Sequence, residues 1–527
     1  MSVHLMSYKP RQPSGSYPLF LDRFIFLGVI IAFIIYLNSI IRFPDINDMM
    51  GLSRICLMME DSLLSCANTN WGFAHPLLNF ILTKITGNLL ISQRILSALF
   101  TMGAFFLCER IMRTLFQLKN RMIMTVTLVA MALSPWTSES ILSVHLDIAS
   151  VFFVLAGLLM MNSPDRGRLV LAGFLITISA WFRFHYLIFI LLFPLLVYAI
   201  HARHRGFQKA GYTLIGIIPG LLIPYILNYA AYGHWFISNH KMILALSGGI
   251  LKLTNNFAPQ LENMSYSQMA SLISWPLYLS QRWEMLIETR VMLPLIVMGI
   301  SYAVILLWNG RAMTGEAEKK TDSLSILNTV EYNGFLIFMY LMLSVFPFVL
   351  IRGLTFRLES AFFIPFIPIM ALMLESRMTR RYYIVILIYL MVNWGQMTME
   401  SIEKKHDHSR VQERIAREVE RVIPPEIRKL YSHEILNGME VYNRENPYLL
   451  FSPVVTGGWM VHSRPLADHF GRVDLETLHH NYNYKRYRYI ILAKRPSFSF
   501  WQYDTELLSK GTMVAETKNM YILQPHR

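Results

Sequence analysis

Long apolar stretches divided by short polar links dominate the first three quarters of the chain. A helix needs about 20 apolar residues to cross a bilayer core, with shorter runs tolerated. Runs of this kind occur at Phe24–Ile41, Ile95–Met112, Met122–Pro135, Ile141–Met161, Leu169–Ala180, Tyr186–Ile200, Gly211–Ala231, Val291–Trp308, Phe335–Ile351, Ala361–Leu374 and Tyr382–Trp394. The pattern predicts a polytopic α-helical membrane protein with about eleven transmembrane helices. From Glu400 the pattern changes. Arg410–Glu426 reads as an amphipathic helix stopped by Pro424 and Pro425. The runs MEVYN, YRYIILAK, GTMVAET and MYILQ then read as strands. Two domains are expected: a membrane domain over 1–399 and an extracytoplasmic α/β domain over 400–527.

Composition agrees with the hydropathy. Of 527 residues, 54% are hydrophobic and only 16% charged, where a soluble domain carries about a quarter charged residues. The formal net charge of +14 does not mark a nucleic-acid binder, because its lysines and arginines sit in alternate links. Arg110 to Arg121, Arg166–Arg168, His201–Lys209, Arg311 to Lys320 and Arg377–Arg381 are all basic. Positive-inside bias puts these links and the N-terminus in the cytoplasm, and an odd span count puts the C-terminus outside. The expected location is the inner (cytoplasmic) membrane, multi-pass. No cleavable signal precedes the first run, which reads as an anchor. Three cysteines are too few for a disulfide scaffold or a zinc ribbon. Cys108 reads as packing, and Cys56 and Cys66 are either one bridge or two thiols.

The opposite set of links holds the unusual polar residues. Asp45 and Asp48 follow the first run, and Arg54 lies in the loop after it. His75 precedes the second run, and His145 and Asp147 open the fourth. Arg183 and His185 lie between the fifth and sixth runs, and Arg352 and Arg357 between the ninth and tenth. Ionisable groups near membrane depth cost about 2.5–3.5 kcal/mol each on insertion scales, so they face a cavity or a partner. Snorkelling into interfacial water is the bland reading for any single residue. Arginine is disfavoured in short outer links, however, and a fixed bidentate donor there suits a phosphate. The aspartates supply a base, or ligands for a hard divalent ion. Together these residue types point to sugar transfer from a lipid phosphate.

The segment PDINDMMGLSRICLMMEDSLL, followed by NWGFAHPLLNFIL, resembles the first outer loop of GT-C membrane glycosyltransferases. It is most similar to the branch with aminoarabinose transferases and protein O-mannosyltransferases (family 39-like). Pro44–Asp45 stands for that family's P-D, Ser53–Arg54 for its S-R, and His75–Pro76 for its Lys-Pro. SVHLDIASVFF resembles its fourth span, which carries a role over to Asp147. RGLTFRLESAFFIPFIP resembles its late R-x-x-x-P-x-x-P run, with Pro365 and Pro368 as the prolines. Two departures stand out. Ile46 replaces the family's second acid, so Asp48 either substitutes one turn later or caps a helix from Met49 to Met59. Arg357 lies one turn before Ala361, where the family has its arginine.

The resemblance implies an inverting glycosyltransferase that moves a hexosyl or pentosyl group from a polyprenyl-phosphate donor. The acceptor is a lipid, glycan or protein on the outer side. Asp45 is the expected general base, with Asp48 its alternative. Asp147 orients the acceptor or shares a metal with Asp45, a divalent ion being the one cofactor considered. His75, Arg357, Arg352, Arg183, Arg54 and His145 are the expected substrate-binding residues, Arg54 alternatively bracing the loop through Glu60 or Asp61. The competing readings are a polysaccharide polymerase or ligase, which would use the loop Tyr232–Arg290, and a lipid-linked-sugar transporter or flippase. Transporters place binding groups at the bilayer midplane of repeated halves, and the chain shows no repeat.

Overall fold

The structure is a computed structural model. It describes residues 63–66, 72–87, 89–142, 147–183, 186–202, 205–232, 323–352, 356–375 and 380–422, with four tail segments (449–451, 489–493, 511–516, 520–526) and isolated positions at 28, 31, 32, 35, 59, 297, 299–301 and 304. Asp45, Asp48, Arg54, Cys56, His145, His185, the MEVYN run and most of the Tyr232–Arg290 loop lie outside these residues.

Among the described residues eleven α-helices have defined bounds, beside a 3-10 turn at Leu63–Cys66 and a π-helical turn at Ile111–Leu115. They are α1 (Ala74–Thr86), α2 (Leu89–Arg110), α3 (Arg121–Leu133), α4 (Pro135–Leu142), α5 (Asp147–Met160), α6 (Arg166–Phe182), α7 (Leu187–Ile200), α8 (Gly206–Tyr232), α9 (Ser323–Arg352), α10 (Phe356–Glu375) and α11 (Arg380–Val422). Local signals account for several boundaries. The Asn120 side chain accepts from the Ile123 N–H at 3.2 Å, and Asp165 accepts from Gly167 N–H at 3.1 Å; both satisfy donors that a helix start leaves open. At the other end of a helix, Arg380 donates to the carbonyls of Leu374 and Glu375, each at 3.0 Å, closing α10.

The elements that differ from the expectation are α1, which lies in the stretch read as a link ahead of the run Ile95–Met112, and two others. Ser134–Ser140, read as an outer link, is mostly the short helix α4. Pro135 occupies its first position, where a missing N–H costs nothing, and Ser134 accepts from Thr137 N–H at 3.3 Å. The last is α11, which runs for 43 residues through position 400. No proline interrupts the sequence before Pro424, so nothing stops the helix at the composition change.

At the centre of the bundle, α10 packs against α3, α5, α9 and α11, and α5 against α2 and α6. From Phe362 to Leu374 every α10 side chain is buried, Pro365 and Pro368 included. A helix apolar all round belongs inside. Trp136, Phe363 and Trp394 knot α4, α10 and α11 together, with centroids 4.1 Å (Trp136–Phe363) and 4.5 Å (Phe363–Trp394) apart. In contrast, Ile85, Leu191, Leu195, Ile215, Val385 and Val392 stand exposed on the outside. Apolar surface of that extent suits hydrocarbon. Among the described residues, Ile91–Leu115 and Gly206–Leu227 are long and apolar enough to cross a membrane. Shorter apolar helices cover Arg121–Leu133, Asp147–Met160, Leu187–Ile200, Tyr332–Val345 and Phe362–Glu375.

Prolines inside helices organise two of the helix contacts. Pro224 in α8 has no N–H for the Gly220 carbonyl, and that oxygen accepts the Trp181 indole N–H from α6 at 2.8 Å. Pro368 in α10 likewise releases the Ile364 carbonyl, which accepts from the Cys108 thiol of α2 at 3.6 Å. In hydrocarbon each such oxygen needs an internal partner. The same α6–α8 face is stripped of side chains: a Cβ at Gly173 would stand 2.0 Å from the Thr213 carbonyl oxygen, and one at Gly216 1.9 Å from that of Val170. Glycine permits this backbone approach.

The links gather at two ends of the bundle. Lys119 N–H donates to Glu375 at 3.1 Å. His201 Nε2 donates to Met161 O, and Lys209 donates to His201 Nδ1, both at 3.0 Å. These residues belong to the basic links or their edges. At the opposite end Thr398 donates to Leu133 O at 2.8 Å, and the links around 72, 147 and 183 meet. In the tail, four strands pair in the order β1-β2-β4-β3: β1 (Leu449–Phe451), β2 (Tyr489–Ala493), β3 (Gly511–Glu516) and β4 (Met520–Pro525). The β1–β2 pair is parallel and the others antiparallel. Three of the four fall on expected runs; β1 does not.

Candidate functional site

The site is built on the end of α6. Trp181, anchored on Gly220 O, fixes where Phe182 and Arg183 follow. The segment before α1 docks on this end: Gly72 N–H donates to Phe182 O at 2.9 Å. A Cβ at position 72 would stand 1.8 Å from the Trp181 carbonyl oxygen, so no larger residue fits. Three residues on, His75 is buried and meets the Phe182 ring edge-on, centroids 6.4 Å apart. Met59, Cys66, Phe73, Ala74, Ala149 and Phe182 form one apolar cluster beneath it. Met59, the last residue of the helix expected over Met49–Met59, is helical and buried, and the rest of that segment lies outside the described residues.

The α5–α6 register places the charges. Ser150 of α5 donates to the Ser179 carbonyl of α6 at 2.9 Å. One turn further toward this end on each helix stand Asp147 and Arg183. Arg183 Nη2 lies 3.5 Å from Asp147 Oδ2, with side-chain exposures of 7% and 1%. Asp147 opens α5, where the helix dipole favours negative charge. Arg183 leaves α6 with an extended backbone (φ −148°, ψ 115°). A buried ion pair is expensive to desolvate and weak evidence for stability alone, which leaves a functional role as the economical explanation.

Of the expected site residues, the structure brings together Asp147, Arg183 and, through Phe182, His75. Arg352 closes α9 and Arg357 lies in the first turn of α10. The other end of α10, at Glu375, carries the Lys119 contact, so the start of α10 lies toward the end of the bundle that holds Asp147. Sequence reasoning did not single out Trp181 or Ser150 as part of this arrangement. For Trp181 a signal existed, since Pro224 four residues after Gly220 announces a released carbonyl. No group of three or more His, Cys, Asp or Glu suited to a metal ion occurs among the described residues; Asp45, the expected partner of Asp147, lies outside them.

The sequence matches no protein-family profile and no curated protein. Among solved structures it is similar to ArnT from Cupriavidus metallidurans bound to undecaprenyl phosphate. The TM-score is 0.41 at 14% identity, over 95% of this chain and 98% of that one. The apo state of the same ArnT gives the same figures. An oligosaccharyltransferase from Archaeoglobus fulgidus, in complex with Zn and sulfate, gives a TM-score of 0.45 at 10% identity over 88% of this chain and 68% of that one. All three likenesses are weak in identity and in superposition.

Proposed function

We propose that this chain is a multi-pass membrane glycosyltransferase of the GT-C kind. It moves a sugar from a polyprenyl-phosphate donor to a lipid, glycan or protein acceptor at the outer face. The observation that carries this reading is the buried Asp147–Arg183 pair, one residue from the Phe182 that His75 contacts. A carboxylate, a guanidinium and an imidazole at one end of an apolar bundle are a costly set of groups to bury. They match what transfer from a lipid phosphate requires: a group to orient or deprotonate the acceptor, and cations for the departing phosphate.

In this reading Asp45 removes the acceptor's proton as its oxygen attacks the anomeric carbon. The bond from that carbon to the phosphate oxygen breaks, with inversion. Asp147 orients the acceptor, and Arg183, His75 and Arg357 receive the phosphate. Guanidinium groups suit it because their planar donors match phosphate oxygens in pairs. The test is mass spectrometry of lipid, glycan and protein fractions from cells with and without the gene. Loss of one sugar-bearing species, with its sugar-linked polyprenyl phosphate accumulating, is the expected result. Unchanged fractions would overturn the reading.

A further inference from the structure

We propose that the α7–α8 turn is a docking site for an anionic phospholipid. Arg205 and Lys209 hold its phosphate, and the apolar stripes that leave the turn on α7 and α8 carry its acyl chains. The site lies at the basic end of the bundle, away from Asp147 and Arg183, and does not depend on the glycosyl-transfer reading.

The link from His201 to Lys209 contains no acid, and its cations are held in place. Arg205 is exposed on a left-handed backbone (φ 57°), a conformation that glycine would adopt without steric cost. Gly206 follows, so close to the end of α7 that a Cβ there would stand 2.8 Å from Tyr198 O, which fixes the turn. Lys209 Nζ donates to His201 Nδ1, and His201 Nε2 to Met161 O, both at 3.0 Å. An ammonium has three donors, so Lys209 is pinned with N–H groups to spare for an anion. On the neighbouring α6, Gly173 packs against Thr213 and Thr177 against Gly220. That register brings the exposed Arg166 and Arg168 level with the same turn. Asp165 beside them accepts from the Gly167 N–H.

Phe207, between the two cations in sequence, is 82% exposed, and its ring meets that of Tyr198 with centroids 4.8 Å apart. This contact joins two exposed stripes, Leu191, Leu195 and Tyr198 on α7 and Phe207, Leu214 and Ile218 on α8. Their spacing keeps each stripe on one face of its helix. From Phe207 to Ile218 α8 rises about 16 Å, and one leaflet of hydrocarbon is about 15 Å deep. The stripes alone would accept any lipid. Cations fixed at their rim select a negative headgroup, each basic residue favouring it about 5-fold. A zwitterionic headgroup offers the same phosphate but brings an ammonium that these cations repel.

The test is native mass spectrometry of the purified full-length protein titrated with phosphatidylglycerol or phosphatidylcholine. Wild type is compared with Arg205→Gly, Phe207→Ser and Arg381→Ala, where Arg381 is an exposed cation of another basic link and controls for diffuse charge. Wild type should bind phosphatidylglycerol more tightly than phosphatidylcholine. Arg205→Gly should weaken phosphatidylglycerol about 5-fold and leave phosphatidylcholine unchanged. Phe207→Ser should weaken both lipids, and Arg381→Ala neither. A wild type without preference overturns the site. Equal losses from Arg205→Gly and Arg381→Ala overturn it too, by showing diffuse attraction only. Inorganic phosphate that abolishes the preference, together with no effect of Phe207→Ser, overturns the lipid as occupant and leaves a site for free phosphate. Should Arg205→Gly fail to fold, Lys209→Gln takes its place with the same expected loss.

Discussion

Asp147 and Arg183 meet one helical turn beyond the Ser150–Ser179 hydrogen bond, so a single interhelical register sets the position of both charges. Removing one partner and removing both should therefore differ. Arg183→Ala removes the cation 3.5 Å from a buried carboxylate and should cost about 3–5 kcal/mol of stability. Arg183→Ala combined with Asp147→Asn should recover much of that loss. Thermal unfolding in detergent reads both, and additive losses would show that the pair is not coupled.

Trp181 and Pro224 form a second testable pair. Trp181→Phe leaves the Gly220 carbonyl without its indole donor and should cost about 1–3 kcal/mol. Pro224→Ala restores a backbone N–H to that carbonyl. In the Pro224→Ala background, Trp181→Phe should cost clearly less. An equal cost in both backgrounds would mean that the indole acts by packing alone.

Gly72→Ala should displace the segment that carries His75, because its Cβ meets the Trp181 carbonyl oxygen at 1.8 Å. The expected outcome is sugar transfer reduced about 10-fold or more, as a misplacement of about 1 Å at a reacting site costs. The bundle itself should melt near the wild-type temperature. Transfer at the wild-type rate would remove His75 from the site.

Asp45→Asn keeps shape and hydrogen bonding while removing a base, so turnover should fall by about 10²–10⁴-fold. Donor binding should be largely retained. Asp48→Asn should have little effect if it caps a helix. The reverse outcome would move the base by one turn and make Asp48 the residue that answers for the missing second acid.

How much of this was legible in the sequence depends on the type of signal. Apolar runs located most of the described helices, because that signal follows from transfer free energies summed over many residues. The strands YRYIILAK, GTMVAET and MYILQ were legible by alternation and β-branching. The helix α4 was hidden because its hydroxyl-rich sequence resembles a polar link, although Ser134–Pro135 is a helix start. Asp147 and Arg183 were legible as candidates, one by one, from charge at the edge of an apolar run. Their pairing was not, since it depends on the register fixed by Ser150 and Ser179.

The length of α11 has a mechanical meaning. At 1.5 Å per residue its 43 residues make a rod of about 65 Å. Trp394 is locked against Trp136 and Phe363, and Thr398 and Ile402 still hold the helix to the bundle. Beyond Ile402 the helix continues to Val422 for about 30 Å. A tilt of about 10° there would swing the far end sideways by about 5 Å. The stretch from Trp394 to Ile402 is thus a clamp, and its stiffness sets how accurately the end of α11 is aimed.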